Sequence, residues 1–263
     1  MKEKYSLYDR ESVIDARFYK SEPIWVTAER QGVKSATFFW VGSEAPVKGY
    51  SPSIFKYYDG EIPFKTRVDS VTSWLNLPEA VRPQLVMLYF SEPDHTGHTH
   101  GVDSLKIQSV VESMDSLLGY LLSEVSKLDV YPNLNIIITS DHGMTNVSNN
   151  RLVVIDKYIS RMEDIYINGR GTHIQFDLKK EALFYKGKLA DELSRIPNST
   201  YWEKKDIPNR FQFVNHNTGD FLLLADEGYF ITTNKSLGER DFTLGGMHGY
   251  DPNYMNMHGI FYA

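Results

Sequence analysis

Cysteine is absent from the 263 residues. That excludes disulfides, thiolate nucleophiles and cysteine-ligated zinc, so any metal must be held by histidine and carboxylate. No apolar run approaches the roughly 20 residues that cross a bilayer, and the first 25 residues lack the apolar stretch of a signal peptide. Positive charge is in the minority. The 28 lysines and arginines face 34 aspartates and glutamates, a net charge of -6, which argues against a nucleic-acid polymer or an anionic membrane as partner. Bound divalent metals would reverse that sign locally, so a phosphate ester stays admissible. Internal repeats and low-complexity tracts are also missing. What remains, 41% hydrophobic and 24% charged, is ordinary globular composition, long enough for one large domain or two small ones.

What is present is organised around two strand exits. Leu85 to Phe90 is an apolar run without alternation, the mark of a strand buried on both faces of a parallel sheet. It empties into Glu92-Pro-Asp94-His95-Thr-Gly97-His98, where Pro93 and Gly97 forbid simple continuation of strand or helix. Leu134 to Thr139 repeats the arrangement and ends in Ser140-Asp141-His142-Gly143, with the glycine supplying the turn. In open α/β sheets ligands sit beyond the carboxyl ends of the strands, so both exits fall where chemistry is done.

The rest of the chain frames them. Pro23 to Gly32 reads as a short helix with proline in its first turn and glycine past its end, followed by a strand over 33–40. Residues 41–60 read as a long loop, and 63–77 as a helix stopped by Pro78 with Val68, Val71, Trp74 and Leu75 on one side. Apolar residues at three- and four-residue spacing between Leu105 and Val125 predict a long amphipathic helix whose stripe is core. Placed between the two exit strands, it predicts a right-handed βαβ unit and a doubly wound α/β layer with a mostly parallel sheet. Residues 151–240 change to short alternating runs, with a helix-like piece at 186–196. They read as a small α+β lobe inserted into a core made of 1–150 and 241–263. Near the end, Gly245-Gly-Met-His248-Gly is a glycine-rich loop presenting one imidazole, and 257–263 begins another strand. The chain opens on a helix with no preceding strand and closes on a strand with no following helix, so it reads as cut at both ends.

Asp94, His98, Asp141, His142 and His248 then form a set of two carboxylates and three imidazoles on loops. Those donors suit zinc first, then manganese or iron. Five donors exceed a single three-ligand site and point to two metals, roughly 3.5–4 Å apart in such centres, that activate a nucleophile and take up charge on a phosphoryl oxygen. His95 and His100 flank the set and read as solvent-facing or supporting residues; His173, His216 and His258 read as structural. Ser140 and Thr145 have no base beside them and no nucleophile-elbow pattern, so they read as hydrogen-bonding neighbours of the metals.

The motifs resemble the nucleotide pyrophosphatase/phosphodiesterase family of the alkaline phosphatase superfamily. The matching stretches are Glu22-Pro-Ile-Trp-Val-Thr-Ala, Phe38-Phe-Trp-Val-Gly-Ser-Glu, Pro63-Phe with Arg67-Val, Glu92-Pro-Asp-His-Thr-Gly-His, Ser140-Asp-His-Gly-Met and His248-Gly-Tyr-Asp. They cover most of 20–150 and the last twenty residues; the middle lobe matches loosely. The resemblance implies an alkaline phosphatase-like fold and two zinc ions in the intact site, one held by Asp94, His98 and His248, the other by Asp141 and His142. It implies a nucleotide or other small phosphodiester as substrate, with Tyr58, Trp40 and Phe39 as a wall for the base. It also implies a further aspartate and a nucleophilic threonine upstream of these motifs. The chain as written is therefore expected to carry one complete metal site and to lack activity alone. A phosphomonoesterase, a phospholipid-type phosphodiesterase and a catalytically silent metal-binding fragment are the competing readings. By the same resemblance the intact protein would be periplasmic, secreted or on the cell surface.

Overall fold

The structure, a computed structural model, describes residues 5–238 and 245–263. The expected boundary at residues 240 and 241 lies outside the described residues. Two compact units divide the chain, one of residues 1–91 and 112–135, the other of 92–111 and 136–263.

The first unit opens with α1 (Arg10–Val13), capped by the Asp9 carboxylate, and α2 (Ile24–Arg30). Strand β1 (Ser35–Phe38) is buried at every position and lies between β2 (Ile54–Lys56) and β3 (Leu85–Leu88), both parallel to it. The central strand is covered on both faces, as parallel sheets are, whereas the apolar Leu85–Leu88 run lies at the edge and is mostly half-buried. On one side Met87 packs with Trp25, Val26, Ala45 and Val47. The helix α3 (Phe64–Leu75) buries Val68, Val71, Trp74 and Leu75, and Trp74 stacks on Phe38 at 5.7 Å between ring centroids.

The second unit begins with α4 (Asp94–His100). Here the expected loop is a helix: Pro93 serves as its N-cap, a position that needs no N–H, and Gly97 is tolerated inside it. The long helix α5 (Leu105–Val125) follows and carries the chain from the second unit into the first. It forms where the apolar spacing predicts, yet Val125 is its one buried residue, and Leu105 is 82% exposed. Periodicity reveals an amphipathic face and is silent on what covers it.

Strand β4 is short (Ile138–Thr139), and its ladder partner is antiparallel β13 (Phe261–Tyr262) rather than β3. The C-terminal strand thus closes on the 134–139 run. An apolar run specifies burial but does not name its neighbour. Strand β5 (Thr145–Asn146) later meets β12 (Gly246–Met247), and β6 (Leu152–Val154) runs parallel to β11 (Phe230–Thr232).

The 151–240 stretch holds an antiparallel sheet of β7 (Ile165–Arg170), β8 (His173–Leu178), β9 (Ser199–Glu203) and β10 (Phe221–Ala225), in the order β7-β8-β10-β9. Alternation along β8 turns Ile174, Phe176 and Leu178 inward against α6 (Lys186–Leu193), whose Leu189 and Leu193 complete the core. Glu192 is buried there with its carboxylate satisfied by the Ser160 hydroxyl at 2.6 Å and the Tyr185 hydroxyl.

Candidate metal centre

Asp94 begins α4 and His98 sits one turn on, so an i,i+4 spacing puts both side chains on the same helix face. His248 follows β12 directly, and His142 precedes β5 by three residues, so the β5–β12 pairing brings their two loops together. All belong to the second unit.

The imidazoles converge on one oxygen. From Asp94 Oδ1 the Nε2 atoms of His98, His248 and His142 lie at 3.4, 3.7 and 3.9 Å. The His142 and His248 rings stack at 3.5 Å, tilted by 16°, and the His98 ring is 5.0 Å from that of His248. Ligand atoms of Asp94, His98 and His248 all fall within 4.8 Å of one another. Asp141 stands further out, its side chain 82% exposed, with Oδ1 3.5 Å from His142 Nε2.

Three observations fit this set to a cation. Asp94 Oδ1 is buried and has no hydrogen-bond partner; an orphaned buried carboxylate oxygen is costly unless a positive group meets it. His98 Nδ1 lies 2.9 Å from the Gly246 carbonyl and His142 Nδ1 2.8 Å from that of Gly143. Each ring then donates its Nδ1 proton to a backbone acceptor and keeps the Nε2 lone pair aimed inward, the orientation of a metal-ligating histidine. Finally, burial and then the adjacent His142 push the pKa of His248 down to about 4, so that imidazole is neutral at pH 7 and free to donate its lone pair.

The family model for type I phosphodiesterase / nucleotide pyrophosphatase matches residues 1–251. The chain belongs to that family. Among phosphodiesterase/pyrophosphatase relatives, human ectonucleotide pyrophosphatase/phosphodiesterase family member 1 is 34% identical over 268 residues, covering 99% of this chain and 29% of its own length. A venom phosphodiesterase of Macrovipera lebetinus is 34% identical, covering 94% of this chain and 29% of its own. Among solved structures, murine ectonucleotide pyrophosphatase/phosphodiesterase 5 superposes with a TM-score of 0.87 at 32% identity, covering 95% of this chain and 65% of that one. An inactive form of the same murine protein, in complex with AMP, matches equally well. The chain thus spans less than a third of the first two relatives' length. The alkaline phosphatase-like α/β fold anticipated from the motifs is the fold of these neighbours.

The remaining candidates of this phosphodiesterase-family chain fall into place around the centre or away from it. His95 and His100 are exposed, the latter 3.2 Å from Lys106 Nζ. His258 Nε2 meets the Pro252 carbonyl at 3.0 Å, His173 packs edge-on to Phe213, and the Ser140 hydroxyl accepts the Ile260 N–H. In the first unit Tyr58 is 51% exposed, while Phe39 behind it is 3% exposed with ring centroids 5.1 Å apart. Phe39 therefore supports the tyrosine rather than presenting its own face. Trp40 packs against the Trp25 and Met87 cluster.

Two residues have supporting roles that the motifs do not disclose, although Arg67 stands in one of them. Arg67 is fully buried, its guanidinium over the Phe39 and Phe64 rings and donating to the carbonyls of Ile62 and Tyr89 at 3.1 Å and Gly60 at 3.4 Å. The available signal was its place on the buried face of α3, four residues before Val71. Asn146 bridges β5 to the turn after α4, and nothing local in the sequence marks it.

Proposed function

We propose that the protein hydrolyses phosphodiester or pyrophosphate bonds of nucleotides at a divalent-metal centre, with zinc as the metal. The observation that carries this is the unpartnered Asp94 Oδ1 with three imidazole nitrogens 3.4 to 3.9 Å away. Such spacings are too long for hydrogen bonds and suit donors arranged to share a cation. Asp94, His98 and His248 would hold one zinc, and Asp141 with His142 would contribute to a second. Bound there, the metal would supply Lewis acidity, lowering the pKa of a hydroxyl nucleophile and offsetting charge on phosphoryl oxygens.

The chain's own residues do the rest. The Gly246 and Gly143 carbonyls fix the tautomers of His98 and His142, and the buried position of His248 keeps it uncharged. Tyr58, held from behind by Phe39 with Trp40 alongside in sequence, is proposed as the stacking surface for the base, an interaction worth roughly 1–3 kcal/mol. The AMP complex of the murine relative supports a nucleotide as ligand. Ecto-enzyme and venom relatives support an extracellular setting.

The test uses the full gene product that encodes these residues, with zinc. It should release p-nitrophenol from the p-nitrophenyl ester of thymidine 5′-monophosphate, and Asp94→Asn should abolish release. Full activity in Asp94→Asn would refute the assignment. A panel including p-nitrophenyl phosphate and a phosphocholine ester distinguishes the neighbouring chemistries, because preference for either over the nucleoside ester would replace the nucleotide reading.

A further inference from the structure

We infer that Asn146 is the positioning residue of the metal centre, the side chain that locks the helix carrying His98 to the two loops carrying His142 and His248. The inference rests on the metal reading above and adds to it a residue that touches no ligand atom through its hydrogen bonds.

Three chain segments meet at this residue. Its main chain pairs with Gly246, two residues before His248, and lies four residues after His142. Its side chain reaches across to the turn that ends α4, three residues beyond His98: Oδ1 accepts the Val102 N–H at 2.7 Å and Nδ2 donates to the Asp103 carboxylate. Each of the three crosslinked positions therefore lies two to four residues from a candidate ligand on its own segment: Val102 from His98, Asn146 from His142 and Gly246 from His248. Without the amide, α4 keeps its own helical bonds but loses a polar tie to β5, and its seven residues are too few to hold an orientation alone.

The chemistry selects asparagine. One end must accept from a backbone N–H while the other donates to a carboxylate, and a carboxamide does both in one plane. Aspartate would keep the first bond and set two carboxylates against each other. Swapping the pair, with aspartate at 146 and asparagine at 103, restores the bond with its direction reversed: the carboxylate at 146 still accepts the Val102 N–H and now accepts from the amide at 103.

The experiment measures zinc affinity of the 263-residue chain by competition with a chromophoric chelator, well below the unfolding midpoint of the metal-free protein, and records the visible spectrum of the cobalt-loaded form. Supporting residues around metal ligands typically govern affinity 10–100-fold. Asn146→Asp should lose affinity in that range and broaden or shift the cobalt bands, and the double variant Asn146→Asp with Asp103→Asn should recover both. Should Asn146→Asp fail to fold, Asp103→Ala alone, at an exposed position, removes the acceptor of the Asn146 Nδ2 bond and should still weaken zinc binding several-fold. Unchanged affinity and spectrum in the single variants, with only a lower unfolding midpoint, would make Asn146 a purely structural residue and overturn the inference. Absence of zinc binding by the unsubstituted chain would instead overturn the metal reading, and this inference with it.

Discussion

Adding one methyl group to Gly143, the residue after His142, should destabilise the protein by about 2–4 kcal/mol, the cost of overpacking plus a lost backbone hydrogen bond. A Cβ there would stand 2.1 Å from the Asn256 carbonyl oxygen and 2.7 Å from that of His258. Both are backbone atoms, so no rotamer change relieves the clash. Segment 256–258 would have to retreat by about 1 Å to reach ordinary contact, and the bond from Gly143 N–H to the Met257 carbonyl, 3.0 Å long, would break. The φ of Gly143 is not positive, so alanine meets no intrinsic backbone penalty and the whole effect is steric. Gly119, exposed on α5 with nothing within 4 Å of its would-be Cβ, is the matched control. The same substitution there should stabilise by about 1 kcal/mol through helix propensity. Urea unfolding of Gly143→Ala and Gly119→Ala, followed by far-ultraviolet circular dichroism, gives both values. Equal unfolding midpoints for the two would refute the claim that close approach by residues 256–258 requires this glycine.

Acid should destabilise the second unit through Glu192. Burial pushes its pKa up, but hydrogen bonds from Ser160 and Tyr185 outweigh that and leave it below the usual carboxylate value. A lowered folded pKa means stability that is present above the unfolded value of about 4.3 and lost as pH falls through the folded one. Glu192→Gln should therefore flatten the urea midpoint below about pH 5, and an unchanged slope would refute the assignment. Arg67→Lys should cost about 3 kcal/mol, because one ammonium cannot reach three carbonyls in the geometry of a guanidinium; thermal unfolding reads it, and a loss under about 1 kcal/mol would place the guanidinium's bonds outside the stability of the fold. Tyr58→Ala should weaken AMP binding roughly 5- to 150-fold if the ring stacks on the base, whereas Tyr58→Phe should leave it nearly intact; calorimetry in the presence of zinc separates the two, and unaltered affinity in the alanine variant would dismiss the wall.

Composition and periodicity carried α2, α3, α5 and two strands of the parallel sheet, because those are local consequences of burial, whereas β2 (Ile54–Lys56) lies inside the 41–60 stretch that reads as a loop. Leu85–Leu88 is apolar without alternation and pairs parallel to Ser35–Phe38, the central strand, which is buried throughout although two of its four residues are polar. Pairing was not legible in the same way: 134–139 looks like 85–90 on paper, but its partner is the C-terminal Phe261–Tyr262, a contact across some 120 residues that no window contains. The candidate donors were legible because their types and flanking glycines form a motif, and the structure gathers Asp94, His98, His142 and His248 around one oxygen. Their setting was misread. Gly97, taken as a helix breaker, lies inside α4 because a neighbour demands its missing Cβ: that atom would stand 2.5 Å from Met144 Sδ.

That same sulfur explains the glycine at 246. A Cβ there would also stand 2.5 Å from Met144 Sδ and 2.8 Å from the Gly97 carbonyl, so Met144 is clasped between α4 and β12 where neither carries a side chain. A thioether adapts to such a slot better than a branched residue, and the backbones bearing His98 and His248 can approach because glycine at 97 and 246 puts no side chain of their own between them. The imidazoles are thus spaced by main-chain contact and by one unbranched side chain, not by their own rotamers. Candidate donors held in this way owe their separation to the fold, and the unpartnered carboxylate oxygen of Asp94 is the electrostatic counterpart: a polar cluster assembled by packing elsewhere, at a cost the fold bears.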